Sequence, residues 1–297
     1  EYDLYRDGLK IDTTIDSKMQ QYAEEAVTEH LKNLQKEFFI AAKDKENAPF
    51  VDITPEQTQQ IMLQAKKNSE RWRKMDLNGK SEEEILKSFD LPAKMKIFTY
   101  EGEKDTLMKP TDSIIYYKHM LQTGMMAMEP RSGHIKAWVG GVNYKYFQYD
   151  HVGQGARQVG STFKPFLYAT AIEQLGMSPC DSIIDSYFTM PKGKWGIDKD
   201  WSPKNSDGNY RGTTTLQKAL ANSINTVSAK LIDRVGPKAV VDMAKELGVT
   251  SDIPEQPSIA LGAVDITVEQ MVGAMSTFAN QGVYVKPTFI IKIEDKN

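Results

Sequence analysis

The stretch GSTFKPFLYATAIEQLG, residues 160–176, decides how the rest of the chain is interpreted. It places Ser161 and Lys164 three residues apart, directly after a glycine and at the start of an amphipathic helix. Residues at this spacing on a helix share one face, so the two side chains can meet. A serine hydroxyl becomes a nucleophile only when a base removes its proton. The pattern therefore predicts either a capping serine beside a solvated lysine, or a covalent catalyst.

The second interpretation requires a lysine that is neutral for part of the time, although the reference pKa of lysine is about 10.4. Burial lowers a lysine pKa, and the positive end of a helix adds to that effect. Phe163 and Phe166 flank Lys164 in the sequence and can exclude water from it. The backbone N–H of Ser161 can serve an oxyanion at the helix start. We therefore expect Lys164 to be buried, with a lowered pKa.

A second polar segment lies between two predicted helices, within ALANSINTVSAK at residues 219–230. Ser223 and Asn225 are two residues apart, so an extended segment would present the hydroxyl and the amide on one side. The hydroxyl could bond to Lys164 and pass a proton, and the amide could hold a substrate carbonyl. The alternative is a polar turn whose side chains cap the neighbouring helices.

Composition favours a folded globular chain and argues against several other classes of protein. The 297 residues are 40% hydrophobic and 26% charged, which is typical of a packed core. The net charge of −3 disfavours a nucleic-acid binder, and no apolar run approaches the ~18 residues of a membrane span. The single cysteine, Cys180, cannot form an internal disulfide. The histidines are scattered, without a His-Glu-x-x-His arrangement, which disfavours a metal site; they are His30, His119, His134 and His151.

Patterning along the chain predicts three regions. Residues 1–28 contain a strand at 9–15 and the start of a helix capped by Asp16 or Ser17. Residues 29–120 are rich in lysine and glutamate, and we interpret them as a mostly helical insertion with solvated faces. Its predicted helices cover residues 55–75, 81–88 and 111–123.

The third region, residues 121–297, begins with two short strands at 124–129 and 134–140. Helices dominate from there to a final strand at 287–293. Two capping boxes are predicted in the chain, Ser81 with Glu84 and Thr214 with Gln217.

Taken together, Ser-x-x-Lys and Ser-x-Asn resemble two signature motifs of the penicillin-binding proteins. Longer stretches resemble the transpeptidase domain of the class A, bifunctional members, over residues 1–28 and about 121–297. They are GLKIDTTIDSKMQQYAEEAV (8–27), MAMEPRSGHIKAWVGG (126–141), RQVGSTFKPFLYATAIE (157–173), WSPKNSDGNYRGTTTLQKALANSINTVSAKL (201–231) and IALGAVDITVEQMVGAMSTFANQGVYVKP (259–287).

The resemblance implies an α+β fold like that of penicillin-binding proteins and serine β-lactamases, an antiparallel sheet flanked by helices plus an all-α subdomain. It implies that Ser161 is the acylated nucleophile and Lys164 the general base. Ser223 would relay the proton to the leaving amine, and Asn225 would bind the substrate amide. The implied reaction is D,D-transpeptidation of peptidoglycan stem peptides, which β-lactams would block by trapping Ser161.

The resemblance also implies a setting for the parent protein. Class A members carry an upstream glycosyltransferase domain, and they work with other cell-wall synthesis proteins and without nucleic acid. We expect an extracytoplasmic location at the outer face of the bacterial inner membrane, held by an anchor outside this segment.

One departure from the family pattern is that no Lys-Thr-Gly or Lys-Ser-Gly occurs in the chain. We expect the chain to stop before that strand, and therefore to acylate poorly when alone. Three alternatives remain open. They are a serine β-lactamase, a non-catalytic β-lactam-binding scaffold, and a nucleotide-binding module in which GARQVGST (155–162) forms a phosphate loop.

Overall fold

The computed structural model describes residues 3–4, 6–45 and 47–295. Helices and short strands alternate along this part of the chain. Its strands are β1 Lys10–Thr13, β2 Ala93–Thr99, β3 Gly102–Met108, β4 Met125–Met128, β5 Ile135–Val139, β6 Arg157–Gln158, β7 Ser182–Asp185, β8 Gly212–Thr215, β9 Asp265–Ile266 and β10 Ile290–Glu294. Its α-helices are α1 Ser17–Ala42, α2 Pro55–Lys67, α3 Glu70–Leu77, α4 Glu82–Ser88, α5 Pro110–Lys118, α6 Lys164–Leu175, α7 Leu216–Ala221, α8 Asn225–Val235, α9 Pro237–Glu246 and α10 Val268–Ala279. Short 3-10 helices cover Gly160–Phe163, Lys194–Gly196 and Pro257–Leu261.

The chain divides into two compact units. The first comprises the described residues of Glu1–Gln21, Gly124–Gly140 and Tyr149–Asn297, and the second comprises those of Tyr22–Thr123 and Gly141–Gln148. Across the described residues the strands pair in antiparallel twos, as β1–β10, β2–β3, β4–β5, β6–β9 and β7–β8. This mixture of helices and small antiparallel ladders agrees with the predicted α+β class.

In the first unit, two of these ladders are joined at one point. His134 and Thr288 form a parallel bridge next to β5, and the hydroxyl of Thr14 donates to the carbonyl of Ile135 at 2.6 Å. Thr14 is buried, and its backbone N–H donates to Phe289. The strand before α1 is thereby tied both to β10 and to the β4–β5 hairpin.

The main core of the first unit lies among its helices. Helix α6 is apolar on most sides, and Phe163, Phe166 and Leu167 are completely buried. They pack with buried side chains of α8 and α9, including Leu231 and Val240. A helix that is apolar around most of its circumference belongs inside a domain. This packing fixes α6, and with it Lys164, within the core.

The second unit contains most of α1, helices α2–α5 and the β2–β3 hairpin. The predicted capping box of Ser81 and Glu84 is confirmed, since both reciprocal hydrogen bonds are present at the start of α4. The predicted helix over 55–75 is two helices, because Ser69 accepts from the N–H of Trp72 and caps a new one. The hairpin at 93–108 was not predicted from the lysine-rich sequence.

Two further expectations can be compared with the structure. The hairpin predicted at 124–140 is confirmed as β4 and β5. The capping box of Thr214 and Gln217 is wrong by one residue, because Thr215 is the N-cap of α7 and accepts from the N–H of Lys218. Thr214 instead lies in β8, opposite Ile183. Among the described residues, no helix combines the length and apolar character that crossing a membrane requires.

Candidate active site

Ser161 lies in the 3-10 turn that leads into α6, and backbone contacts fix this turn from the side. The N–H of Val159 donates to Val264, and the N–H of Gly160 donates to Gly262 at 3.1 Å. Gly262 has a φ of +76°, and a Cβ there would lie 1.7 Å from the carbonyl oxygen of Gly160. Only glycine permits this approach. The residue next to Ser161 in the chain is therefore held directly against the 262–264 segment.

Lys164 is the first residue of α6 and one of the largest fully buried side chains in the described chain, with 1% of its surface exposed. Its ammonium donates to the carbonyl oxygen of Ser223 at 2.7 Å, to Ser223 Oγ at 2.9 Å and to Asn225 Oδ1 at 2.7 Å. All three acceptors are neutral. Burial lowers the pKa of Lys164 to about 8, since no carboxylate offsets the loss of water.

Ser223 and Asn225 both lie beside Lys164, but not on the extended segment that the sequence suggested. Ser223 adopts a left-handed conformation with a φ of 52°, and Asn225 is already the first residue of α8. The expectation of an extended presentation is therefore wrong. The left-handed turn still brings Ser223 to Lys164, because the carbonyl and the hydroxyl of Ser223 both accept hydrogen bonds from the Lys164 ammonium.

The hydroxyl of Ser161 stands apart from this cluster. Ser161 is exposed, and within the described residues its Oγ makes no hydrogen bond, to Lys164 or to any other group. Its carbonyl accepts from the N–H of Lys164, which continues the turn into the helix. The structure thus joins three of the four predicted site residues by hydrogen bonds, and the fourth, Ser161, is an exposed residue in the turn directly before Lys164.

The amide of Asn225 is oriented by contacts on both of its ends. Its Oδ1 accepts from Lys164, and its Nδ2 donates to the carbonyl of Lys204 at 2.9 Å. Asn205, the next residue, accepts with its Oδ1 from the backbone N–H of Asn225 at 3.0 Å. The sequence analysis missed this role of Asn205, although Asn205 lies within the WSPKN stretch that carries the resemblance.

The nucleotide-binding alternative finds less support in the geometry. Arg157 and Gln158, which would belong to a phosphate loop, form strand β6 opposite Asp265 and Ile266. Burial lowers the pKa of His151, which lies beside the ring of Tyr149. Over the described residues, no group of three or more histidine, cysteine and acidic side chains is arranged to hold a metal ion.

Comparisons with known protein families match two regions of the chain. Residues 45–121 match the penicillin-binding protein middle domain, and residues 123–297 match the penicillin-binding protein transpeptidase domain. Most of residues 29–120, which we interpreted as a helical insertion, therefore matches a domain that is known in penicillin-binding proteins.

Similar relatives include penicillin-binding protein 1A of Aquifex aeolicus, 31% identical over 99% of this chain and 40% of that protein. Penicillin-binding protein 1A of Neisseria flavescens is 29% identical over 99% of this chain and 39% of that protein. The chain thus spans about two fifths of the length of these curated relatives.

Solved structures show the same fold. The crystal structure of penicillin-binding protein 1A from Haemophilus influenzae has a TM-score of 0.66 at 21% identity, covering 99% of this chain and 46% of that one. PonA1 of Mycobacterium tuberculosis has a TM-score of 0.51 at 27% identity, covering 59% of this chain and 48% of that one. These likenesses confirm the predicted α+β transpeptidase fold. Because the transpeptidase model matches more than half of the residues, the chain belongs to the penicillin-binding protein family, within its class A transpeptidase branch.

Proposed function

We propose that this chain supplies the nucleophile side of a peptidoglycan D,D-transpeptidase site that works through a serine acyl-enzyme. Ser161 is the nucleophile, Lys164 the general base, Ser223 the proton relay and Asn225 the substrate-amide ligand. The observation that carries this proposal is the buried Lys164 ammonium with its neutral partners and its pKa of about 8. A general base works best with a pKa near the operating pH.

The hydrogen bonds of Lys164 suggest how the proton moves. A protonated ammonium has three N–H donors, and it meets three acceptors here. The neutral amine keeps two N–H donors and gains a lone pair. The Ser223 carbonyl and Asn225 Oδ1 can keep their hydrogen bonds, while the hydroxyl of Ser223 reverses and donates to the lone pair. Ser223 Oγ is therefore able to carry a proton to or from Lys164.

In the proposed reaction, Ser161 Oγ attacks the carbonyl carbon of the penultimate D-alanine as its proton passes to neutral Lys164. The peptide C–N bond then breaks, and the proton returns through Ser223 to the leaving D-alanine amine. An amine of a second stem peptide then attacks the ester carbonyl carbon, and the ester C–O bond to Ser161 breaks as the new C–N bond forms. The proton lost by that amine passes through Ser223 and Lys164 back to Ser161 Oγ. The N–H of Ser161 lies at the N-terminal side of α6, where developing negative charge on the carbonyl oxygen is stabilised.

The substrates and the setting of the whole protein belong to the same proposal. Stem peptides are its substrates, and β-lactams are mimics that acylate Ser161. An upstream glycosyltransferase domain, a membrane anchor and an extracytoplasmic location follow from the class A resemblance. We expect this chain alone to acylate poorly, because it contains no Lys-Thr-Gly or Lys-Ser-Gly motif, and loss of even one oxyanion donor costs about 10²–10³ in turnover in other enzymes.

Mass spectrometry of the full-length protein after exposure to penicillin tests the proposal. We expect one adduct per molecule, on the peptide that contains Ser161. Ser161→Ala should abolish the adduct, whereas Ser132→Ala, at a half-buried turn position of the same unit, should leave it unchanged. An adduct on another residue would contradict the assignment. An acyl-enzyme that hydrolyses within seconds would indicate a β-lactamase, and one that lasts for hours a transpeptidase.

A further inference from the structure

Helix α8 begins without a cap of its own. Its N-cap residue is Ile224, whose side chain accepts no hydrogen bond, although the first N–H groups of any helix need acceptors. The missing acceptor comes from Asn205, 20 residues earlier in the chain. Asn205 Oδ1 accepts from the N–H of Asn225 at 3.0 Å and from the N–H of Thr226 at 3.2 Å. The helix start that carries Asn225 therefore depends on which way one distant amide faces.

The orientation of that amide is set by Asp185. Asn205 Nδ2 donates to Asp185 Oδ1 at 2.9 Å and to the carbonyl of Asn209 at 2.8 Å. A carboxylate can accept hydrogen bonds but cannot donate them. The NH₂ group of Asn205 must therefore face Asp185, and the amide oxygen of Asn205 must face α8. Asp185 thus selects one of the two amide orientations.

Asp185 is a fully buried carboxylate, and it is held by several donors. Besides Asn205, the N–H of Arg211 donates to its Oδ2 at 2.8 Å, and the hydroxyl of Thr226 donates to its Oδ1. The guanidinium Nη1 of Arg211 lies 3.8 Å from Asp185 Oδ2. Burial by itself raises the pKa of Asp185, but these donors outweigh it, and the pKa is lowered. The carboxylate is therefore a fixed acceptor at neutral pH.

The chain of contacts ends at the base. Asn205 fixes the backbone of Asn225, and the carbonyl of Lys204 fixes the Asn225 side chain, whose Oδ1 holds the Lys164 ammonium. Each link is a hydrogen bond of 2.7–3.0 Å. A misplacement of about 1 Å at such a site can cost 10²-fold in rate.

We propose that Asp185 is a positioning residue for the acylation site, acting through Asn205 to hold Asn225 and Lys164 in place. This inference rests on the proposed function. Asp185 touches none of the reacting groups itself, and its role is to fix an amide that would otherwise be free to flip. An asparagine at 185 has one acceptor oxygen where Asp185 has two, so it cannot accept from Asn205 and Thr226 on one side and from the N–H of Arg211 on the other. The fixed preference for one direction of the Asn205 amide is then lost. Whenever the new NH₂ faces Asn205, the Asn205 amide flips and presents donors to the N–H groups of α8.

The test measures the second-order rate constant of acylation by a fluorescent penicillin in the full-length protein. Asp185→Asn should lower it by about 10–100-fold. The exchanged pair, Asp185→Asn combined with Asn205→Asp, should recover at least half of that loss on a logarithmic scale. In this pair the amide at 185 donates to the carboxylate at 205, and that carboxylate accepts from the N–H groups at the start of α8. Val241→Ala, in the core on α9, is the control for a general loss of stability and should acylate at the wild-type rate well below its melting temperature.

The outcomes separate this inference from the proposed function. An unreactive wild-type protein would contradict both. A reactive wild type with an equally reactive Asp185→Asn variant, or an exchanged pair no faster than the single variants, would overturn the positioning role alone. Should Asp185→Asn fail to fold, Asn205→Ala decides the question, because it removes the cap and keeps the Asp185 contacts with Arg211 and Thr226. It should lose acylation by a similar factor, and wild-type acylation would overturn the inference.

Discussion

Two lysines of this chain, one in each compact unit, have pKa values shifted in opposite directions. Lys145 is exposed, and its hydrogen bond and charge interaction with Glu103 raise its pKa. Lys164 is buried against the carbonyl of Ser223, a hydroxyl and an amide, and burial lowers its pKa to about 8. A shift of that size corresponds to roughly 3 kcal/mol against the ammonium. The hydrogen-bond partner and the burial of each lysine decide its charge state. A carboxylate partner stabilises the ammonium, whereas neutral acceptors in a buried site do not offset the loss of water.

The lysine- and glutamate-rich surface of the second unit supports the same conclusion. Lys80 lowers the pKa of Glu84 to about 2 through a hydrogen bond, with further help from the N–H of Ser81. Exposed pairs of this kind contribute little to stability and leave both groups charged. Charge density in the sequence is therefore a poor guide to reactivity, and Lys164, the lysine that is buried among the described residues, is a better guide.

The largest effect should come from removing the proposed base. Lys164→Met keeps the length of the side chain and removes the amine, and we expect acylation by penicillin to fall by about 10²–10⁴-fold. Lys145→Met is the matched control, since it removes a lysine whose pKa is raised rather than lowered. This variant should be acylated by penicillin at the wild-type rate. The measurement is the second-order acylation rate of each full-length variant.

A Lys164→Met variant that acylates within threefold of wild type, while remaining folded by circular dichroism, would break the comparison. The general base would then have to lie elsewhere.

A somewhat smaller effect is expected from disturbing the turn that carries Ser161. Gly262→Ala places a methyl group against the Gly160 carbonyl, so the backbone must move, and we expect roughly a 10²-fold loss of acylation. Gly176→Ala is the control, because Gly176 has a similar φ of +62° and no atom within 4 Å of the added Cβ. The comparison separates the close approach from the cost of the positive φ alone. Equal acylation rates in the two variants would contradict the proposed role of Gly262.

The smallest effect concerns the hydroxyl of Ser223. Ser223→Ala and Ser223→Gly both remove the hydroxyl that we propose as the proton relay. Each should slow acylation by about 10-fold, because the carbonyl of residue 223 and Asn225 still hold Lys164. The glycine variant should melt at a higher temperature than the alanine variant, since glycine accepts the φ of 52° without strain. If the hydroxyl matters only for the turn, Ser223→Gly will acylate like wild type.

Features with a local cause could be predicted from the sequence. The capping box at Ser81 lies within four residues, and the burial of Lys164 was expected from Phe163 and Phe166 beside it. The pairing of β4 with β5 was expected from two short apolar runs around a Pro-Arg-Ser-Gly turn. In each case the residues that decide the structure are neighbours in the chain.

Features with a distant cause could not be predicted in this way. The cap on α8 comes from Asn205, whose direction depends on Asp185, and the turn at Ser161 depends on Gly262. Single-sequence patterns carry no information about such pairings. The prediction of an extended Ser-x-Asn segment was wrong because distant residues decide its conformation. Contacts with Lys164 and Asn205 stabilise a left-handed Ser223, and helix α8 begins two residues later.

The central claim is that Lys164 loses its proton near neutral pH. Trace chemical labelling of all lysine amines in the full-length protein tests this claim most directly. A dilute amine-reactive reagent is applied across pH 6 to 11, and mass spectrometry follows each labelled peptide. Because only the neutral amine reacts, labelling of each lysine rises as pH passes through its pKa. We predict a midpoint at about pH 8 for Lys164 and a midpoint above the usual lysine value for Lys145. A midpoint for Lys164 at or above that of Lys145 would contradict the account.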